Sequence, residues 1–134
     1  MGLLKKLFRR TPKRTRPYCA AVIAAAGSSV RYGGENKLMQ ELGGMPVLAR
    51  TLLAVARARS IDEIVIAPRE DELLPYAQLC KTFGIQKPVK VVPGGATRTE
   101  SVLRAALEAS EGATLLAVQD GARPLVTSAL IDDA

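Results

Sequence analysis

The sequence predicts an α/β fold: a Rossmann-like parallel sheet with flanking helices. Three observations predict it. Four short apolar runs, at residues 19–26, 63–67, 89–92 and 114–118, alternate with stretches of helical period. Each interval is long enough for a crossover helix, which parallel strands require. Small, glycine-rich segments follow the first, third and fourth runs, at the strand ends where open α/β sheets bind ligands.

The elements follow in order. Cys19 to Ala26 reads as a buried strand, apolar throughout. Pro46 to Arg59 reads as a helix with Leu48, Leu52, Val55 and Ala56 on one face. Glu63 to Ala67 is a second strand, rich in β-branched residues. Asp71 to Phe83 reads as a helix, with Pro75 in its first turn and Gly84 as terminator. Val89 to Val92 is a third strand. Thr99 to Ser110 reads as a helix with Val102, Leu103, Ala106 and Leu107 inward. Thr114 to Val118 is the fourth strand, and Thr127 is an expected N-cap for a helix from Ser128. The sequence stops at Ala134, inside that expected helix, and so reads as a truncated, N-terminal part of a longer domain.

The 134 residues suffice for one modest core and not two. Cys19 and Cys80 fall in an apolar strand and a helix, so both read as buried reduced thiols, and the expected location is cytoplasmic. No histidine is present, which removes Ser-His-Asp and Cys-His nucleophile chemistry and histidine-based zinc sites. The net charge of +6 is confined to residues 1–17, which hold seven of the nineteen basic residues and no acid. The remaining 18–134 is near neutral, so the basicity does not argue for nucleic-acid binding. Residues 1–17 read as a disordered basic tail. Leu3, Leu4, Leu7 and Phe8 would share one face of a short helix, which leaves a weak contact with an anionic membrane surface as the alternative.

Three loops carry the chemistry. The first runs from Ala25, Ala26 and Gly27 through Arg31 to Lys37. Small residues let backbone N–H groups approach a phosphate, and two cations neutralise it, so this loop reads as a triphosphate cradle. It lacks the Gly-Lys-Ser/Thr of a Walker loop and two glycines of the dinucleotide fingerprint. The second loop is Gly94, Gly95, then Arg98 and Ser101 at the start of a helix, a place where a base could be approached closely. The third runs from Gln119 and Asp120 to Arg123 and Pro124. Asp120 is the best carboxylate for a magnesium ion whose remaining ligands are phosphate oxygens; a turn cap is its alternative. Arg98 could pair with Asp120 or meet the nucleotide, and Arg123 is equally open. Glu35, Glu41, Asp62, Glu63, Glu70 and Asp71 read as solvated surface charges.

At these residues the chain resembles the 2-C-methyl-D-erythritol 4-phosphate cytidylyltransferase family. Ala25, Ala26, Gly27, Arg31 and Lys37 match its first motif, with Ser29 and Tyr32 where Gly and Met are usual. Leu42, Gly44, Pro46, Val47, Leu48 and Thr51 fit the stretch that follows. Gly94, Gly95, Arg98, Ser101 and Val102 complete its second motif. Gln119 to Pro124 matches its third, with glutamine in place of histidine. The motifs separate this family poorly from ribitol-5-phosphate cytidylyltransferases. The resemblance implies a nucleotidyltransferase fold in which Arg31 and Lys37 stabilise the reacting phosphorus. It implies that Ala25, Ala26, Gly94, Gly95 and Ser101 hold cytosine and ribose, and that Asp120 serves Mg2+. It further implies CTP and a polyol phosphate as substrates, and a homodimer for the full-length protein. The family is longer than this chain, so the acceptor-binding residues are not assigned here. The expected reaction makes a CDP-polyol and pyrophosphate. The rivals are a nucleotidyltransferase of the same fold that uses another base, and an inactive CTP-binding fragment.

Overall fold

A computed structural model describes residues 17–26, 31–32, 35–120 and 132. The basic tail up to residue 16, Gly27, Ser29, Arg123 and the expected helix start at Thr127–Ser128 lie outside the described residues.

The central strand is β1, Cys19–Ala25, buried at every position. It needs apolar residues on both faces because helices cover both. Two antiparallel pairs follow, β2 (Arg31–Tyr32) with β3 (Glu35–Asn36) and β4 (Glu41–Leu42) with β5 (Met45–Pro46). Between β4 and β5 lie Gly43 and Gly44, at φ of 64° and 82°. A two-residue hairpin turn needs this left-handed backbone twice over, and glycine adopts it without steric cost. Helix α1 spans Val47–Arg57 and buries Leu48, Leu52 and Val55, as the period predicts. Strand β6, Glu63–Pro68, is also fully buried. A 3₁₀ turn at Glu70–Glu72 leads into α2, Leu73–Thr82, which ends where Gly84 turns the chain at φ 64°. Strand β7 is Val89–Val91, helix α3 is Arg98–Glu108, and β8 is Leu115–Asp120.

The four long strands form one parallel sheet in the order β7-β6-β1-β8. Helices α1 and α2 bury Leu52, Val55, Tyr76 and Leu79 on one face, against Ile23, Ile64 and Ile66. Helix α3 covers the other face, where Ala105 meets Val22, Val65 and Ala67. The chain therefore winds outward from β1 through β6 to β7, then returns across β1 to β8. This confirms the expected fold class and places a reversal of strand order between β1 and β8.

Three expectations are corrected. Helix α3 turns Ser101 and Ala105 inward, whereas Leu103 and Leu107 are 58% and 75% exposed. The helix lies on alanine and valine of the sheet, and small residues allow that approach. Glu63, expected in solvent, is 2% exposed. Its carboxylate accepts from Ser110 N at 2.7 Å and Ser110 Oγ at 2.8 Å, so the buried charge has two donors. Asp62 accepts from Cys19 N at 2.9 Å and is also a tertiary partner. Both cysteines are buried, and neither is in a disulfide.

Candidate active site

Parallel strands point their carboxyl ends the same way, so β1, β7 and β8 all end on one edge. The crevice of an open α/β sheet lies where strand order reverses. Here that point separates β1 from β8. Ala24 is the register partner of Asp120, which sets Ala25 and Ala26 just beyond the end of the β8 ladder. Asp120 is the last residue of β8 rather than a residue after it.

The second glycine loop closes the same edge from the other side. Gly94 N donates to Pro68 O at 2.6 Å, which binds the loop to the end of β6. A Cβ on Gly94 would lie 2.6 Å from the Ala26 Cβ and 2.9 Å from the carbonyl oxygens of Ala67 and Pro68. Only glycine fits there, and it brings the second loop into contact with the first. Gly95 N donates to Ser101 Oγ at 2.9 Å, and that hydroxyl lies within 3.4 Å of Gly95 O. Ser101 is fully buried, so its hydroxyl holds the loop as well as facing it.

The cations follow from the β2–β3 ribbon. Arg31 is the register partner of Asn36, the residue before Lys37. Six residues apart in sequence, Arg31 and Lys37 therefore have neighbouring backbones. Lys37 opens a 3₁₀ turn whose next residue, Leu38, is wholly buried in the core beside α1. Leu38 pins the turn, and Lys37 stays exposed beside it. Farther on, Val47 N donates to Gln40 O at 2.9 Å, and Arg50 Nε donates to Leu42 O at 2.7 Å. The stretch from Lys37 to Thr51 is thus fastened to α1 at three points.

Arg98 is exposed in the first position of α3. Among the described residues, no group of three or more His, Cys, Asp or Glu gathers to hold a metal.

Sequence reasoning assigned no role to three side chains that shape this edge. Thr97 caps α3, its hydroxyl accepting from Glu100 N at 3.1 Å. Glu100 Oε2 accepts from Ala96 N at 3.1 Å, and its other oxygen pairs with Arg104 Nη2 at 2.9 Å. Arg104 Nη1 donates to Gly94 O at 3.2 Å. The signals were present: Thr-x-x-Glu is a capping box, and Glu followed four residues later by Arg is a helical ion pair. At 50% and 41% side-chain exposure this pair adds only ~0.3–0.5 kcal/mol to the helix.

A concavity of about 510 Å³ opens elsewhere, between α2 and the β7 edge, lined by Cys80, Lys81, Ile85 and Lys87 among others. Burial pushes the Cys80 thiol above its usual range, against a weaker opposing backbone hydrogen bond, which keeps it protonated and poorly nucleophilic.

Comparison with known proteins agrees with this geometry. The family model of 2-C-methyl-D-erythritol 4-phosphate cytidylyltransferase matches residues 19–134. A protein of that name from Bacillus mycoides is 35% identical over 113 residues, covering 84% of this chain and 50% of its own length. One from Parasynechococcus marenigrum is 42% identical over 112 residues, covering 83% and 49%. The crystal structure of 4-diphosphocytidyl-2C-methyl-D-erythritol synthase from Anaerococcus prevotii superposes with a TM-score of 0.73 at 30% identity, covering 86% of this chain and 48% of that one. The chain spans about half the length of the curated relatives it matches.

Proposed function

The chain belongs to the 2-C-methyl-D-erythritol 4-phosphate cytidylyltransferase family, and on that premise we propose that it forms the nucleotide-binding half of such an enzyme. The reaction transfers CMP from CTP to 2-C-methyl-D-erythritol 4-phosphate and releases pyrophosphate. The observation that carries this reading is the contact of Gly94 with Ala26, which joins the base-side and phosphate-side loops at the strand-order reversal.

In this reading CTP lies across the edge. Its phosphates meet the loop after β1, from Ala25, Ala26 and Gly27 to Arg31 and Lys37. Its base meets Gly94, Gly95 and Ser101, with Arg98 at the rim of the same loop. The phosphate oxygen of the acceptor attacks the α-phosphorus in line, and pyrophosphate departs with the electrons of the broken P–O bond. No covalent enzyme intermediate is required, so the protein's contribution is position and charge. Lys37 and Arg31 stabilise the negative charge that grows on the transferring phosphoryl group and on the leaving oxygen. Asp120 would hold Mg2+, which neutralises triphosphate charge when bound. A cytoplasmic location accords with two buried cysteines outside any disulfide. Contacts to the acceptor, dimerisation and any membrane contact of the basic tail fall to segments outside the described residues or outside this chain.

The direct test is competitive calorimetry of the 134-residue chain with CTP, UTP, ATP and GTP, beside a pyrophosphate-release assay with magnesium and the acceptor. CTP should bind at least ~tenfold tighter than ATP or GTP, about 1.4 kcal/mol. Equal affinities would overturn the cytosine assignment. Tight CTP binding without turnover would identify the chain as a binding half only.

A further inference from the structure

The concavity between α2 and β7 has a volume of about 510 Å³, within the ~300–1,000 Å³ range of small-molecule sites. None of its lining residues belongs to the three site loops. Ala77 and Cys80 line it from α2, Ile85 from the connecting loop, and Val89 and Val91 from β7. The two valines alternate with Lys90, so both turn to this side of the strand. Ile85, Val89 and Val91 pack against the core yet are only half-buried, which leaves part of each side chain facing the cavity. A Cβ on Gly84 would meet nothing within 4 Å, so the cavity is open at that residue. Strand β7 ends the sheet, and among the described residues no further strand covers this flank.

Residues 73–97, which build the flank, hold Lys81, Lys87 and Lys90 and no acid. The three cations have different places. Lys90 Nζ donates to Glu108 O at the end of α3, on the other side of the sheet. Lys87 Nζ donates to Ala58 O after α1, and Asp132 lies close enough to feel its charge. Lys81 is exposed in the last turn of α2, and no acidic residue lines the cavity beside it. An apolar trough with an ammonium at its rim complements a molecule that is apolar along its body and anionic at one end. The body leaves water for the valines and isoleucine, and the head stays at the rim against the cation. We propose that this cavity binds a small amphipathic anion, an alkyl carboxylate or alkyl phosphate. Its chain lies on Ile85, Val89 and Val91, and its charged oxygens meet Lys81. The site is separate from the nucleotide edge and does not rest on the reading given there. A lysine that served only to offset the dipole at the end of α2 would confer no preference for an anion.

The experiment titrates octanoate, octyl phosphate and octylammonium, each below its micelle concentration, into the full 134-residue chain and follows the methyl resonances of isoleucine, valine and leucine. One or both anions should bind with Kd of ~1 mM or tighter and shift the Ile85, Val89 and Val91 methyls; the tighter one identifies the head group. Octylammonium carries the same chain with the opposite charge and should bind at least ~tenfold more weakly. Lys81→Glu should weaken the anions at least ~tenfold without weakening octylammonium. Ala77→Phe fills the trough and should abolish the shifts. Absence of shifts at these methyls overturns the inference, as do shifts confined to Leu115, Leu116 and Val118 of β8. Equal binding of anion and cation overturns it too, and so does unchanged anion affinity in Lys81→Glu. If Ala77→Phe does not fold, Lys81→Glu decides, since it alters only an exposed side chain.

Discussion

Gly94 and Ala26 touch across the end of the sheet: a Cβ added to Gly94 would stand 2.6 Å from the Ala26 Cβ. Two backbone carbonyls, of Ala67 and Pro68, would lie 2.9 Å from the same atom. Backbone cannot yield as a flexible side chain can. Gly94→Ala must therefore push the second loop away from β1 and β6. The expected cost is ~1–3 kcal/mol of stability, the scale of overpacking at a tight site. Urea unfolding checks the stability, and CTP titration should show affinity falling with it. A variant of wild-type stability would mean that the two loops do not meet.

Glu63 gives a second prediction. Its carboxylate serves both the N–H and the hydroxyl of Ser110 from a buried position. Glu63→Ala leaves the part-buried Ser110 donors without their acceptor and should cost ~1 kcal/mol in urea unfolding. Glu63→Gln retains one acceptor oxygen and should cost less. Neither change should alter nucleotide preference, because Glu63 begins β6, at the end opposite the loops.

These two residues mark where sequence reading succeeds and where it stops. The β1 and β6 runs and the Leu48, Leu52 and Val55 stripe of α1 were legible because each signal is local. The ends of β1 and β7, where the first two loops begin, were legible for the same reason. Leu103 and Leu107 misled: their i,i+4 spacing reads as an inward face, yet the sheet accepts Ser101 and Ala105 instead. A choice between two faces of one helix depends on the side-chain volume of the sheet beneath it. Glu63 was invisible because its partner lies 47 residues away. The nearness of Arg31 to Lys37 was equally hidden, for it depends on the pairing of β2 with β3. The apolar β8 run leaves Leu115, Leu116 and Val118 about half exposed.

Asp132 supplies a pH-dependent prediction. Its carboxylate accepts from Ser60 Oγ at 2.6 Å, Ser60 N at 2.7 Å and Arg59 N at 3.1 Å, at the turn after α1. The Ser60 side-chain bond, then the backbone bonds of Ser60 and Arg59, hold its pKa below the ordinary value of 3.8. A carboxylate with a depressed folded pKa stabilises the fold above its unfolded pKa and loses that contribution as pH falls through the folded value. Asp132→Asn should therefore lower the urea midpoint at pH 7, and the difference from wild type should shrink below the ordinary pKa. A gap that stays constant down to pH 3 would exclude the carboxylate charge as its source. The group is fully exposed, so the effect should be small and weaken with salt.

Asp120 can be tested separately from the cations. It ends β8, in register with Ala24 of the central strand. Asp120→Asn should abolish the strengthening of CTP binding by magnesium and leave the circular dichroism spectrum unchanged. Titration with CTP in the presence and absence of magnesium reads this out. A retained magnesium effect would reduce Asp120 to a loop cap.

Lys37 and Arg31 carry the sharpest prediction, and the ribbon geometry strengthens it. Register pairing sets the Arg31 backbone opposite Asn36, the residue before Lys37. Two cations within one loop repel, and a structural loop gains nothing from that. A triphosphate removes the repulsion, and its charge grows at the bridging oxygen as pyrophosphate leaves. The contact is therefore stronger in the transition state than in the ground state. With the second half of the family domain supplied, Lys37→Ala and Arg31→Ala should each lower turnover by ~100-fold or more, the scale of one lost charge-stabilising donor. CTP affinity should fall less than turnover. Lys37→Arg should not restore the rate, since a planar fork cannot take the place of a compact ammonium beside the buried Leu38. Steady-state kinetics of pyrophosphate release separates the two quantities. Near-normal turnover in both alanine variants would make the ribbon a binding element and remove the catalytic role assigned to it.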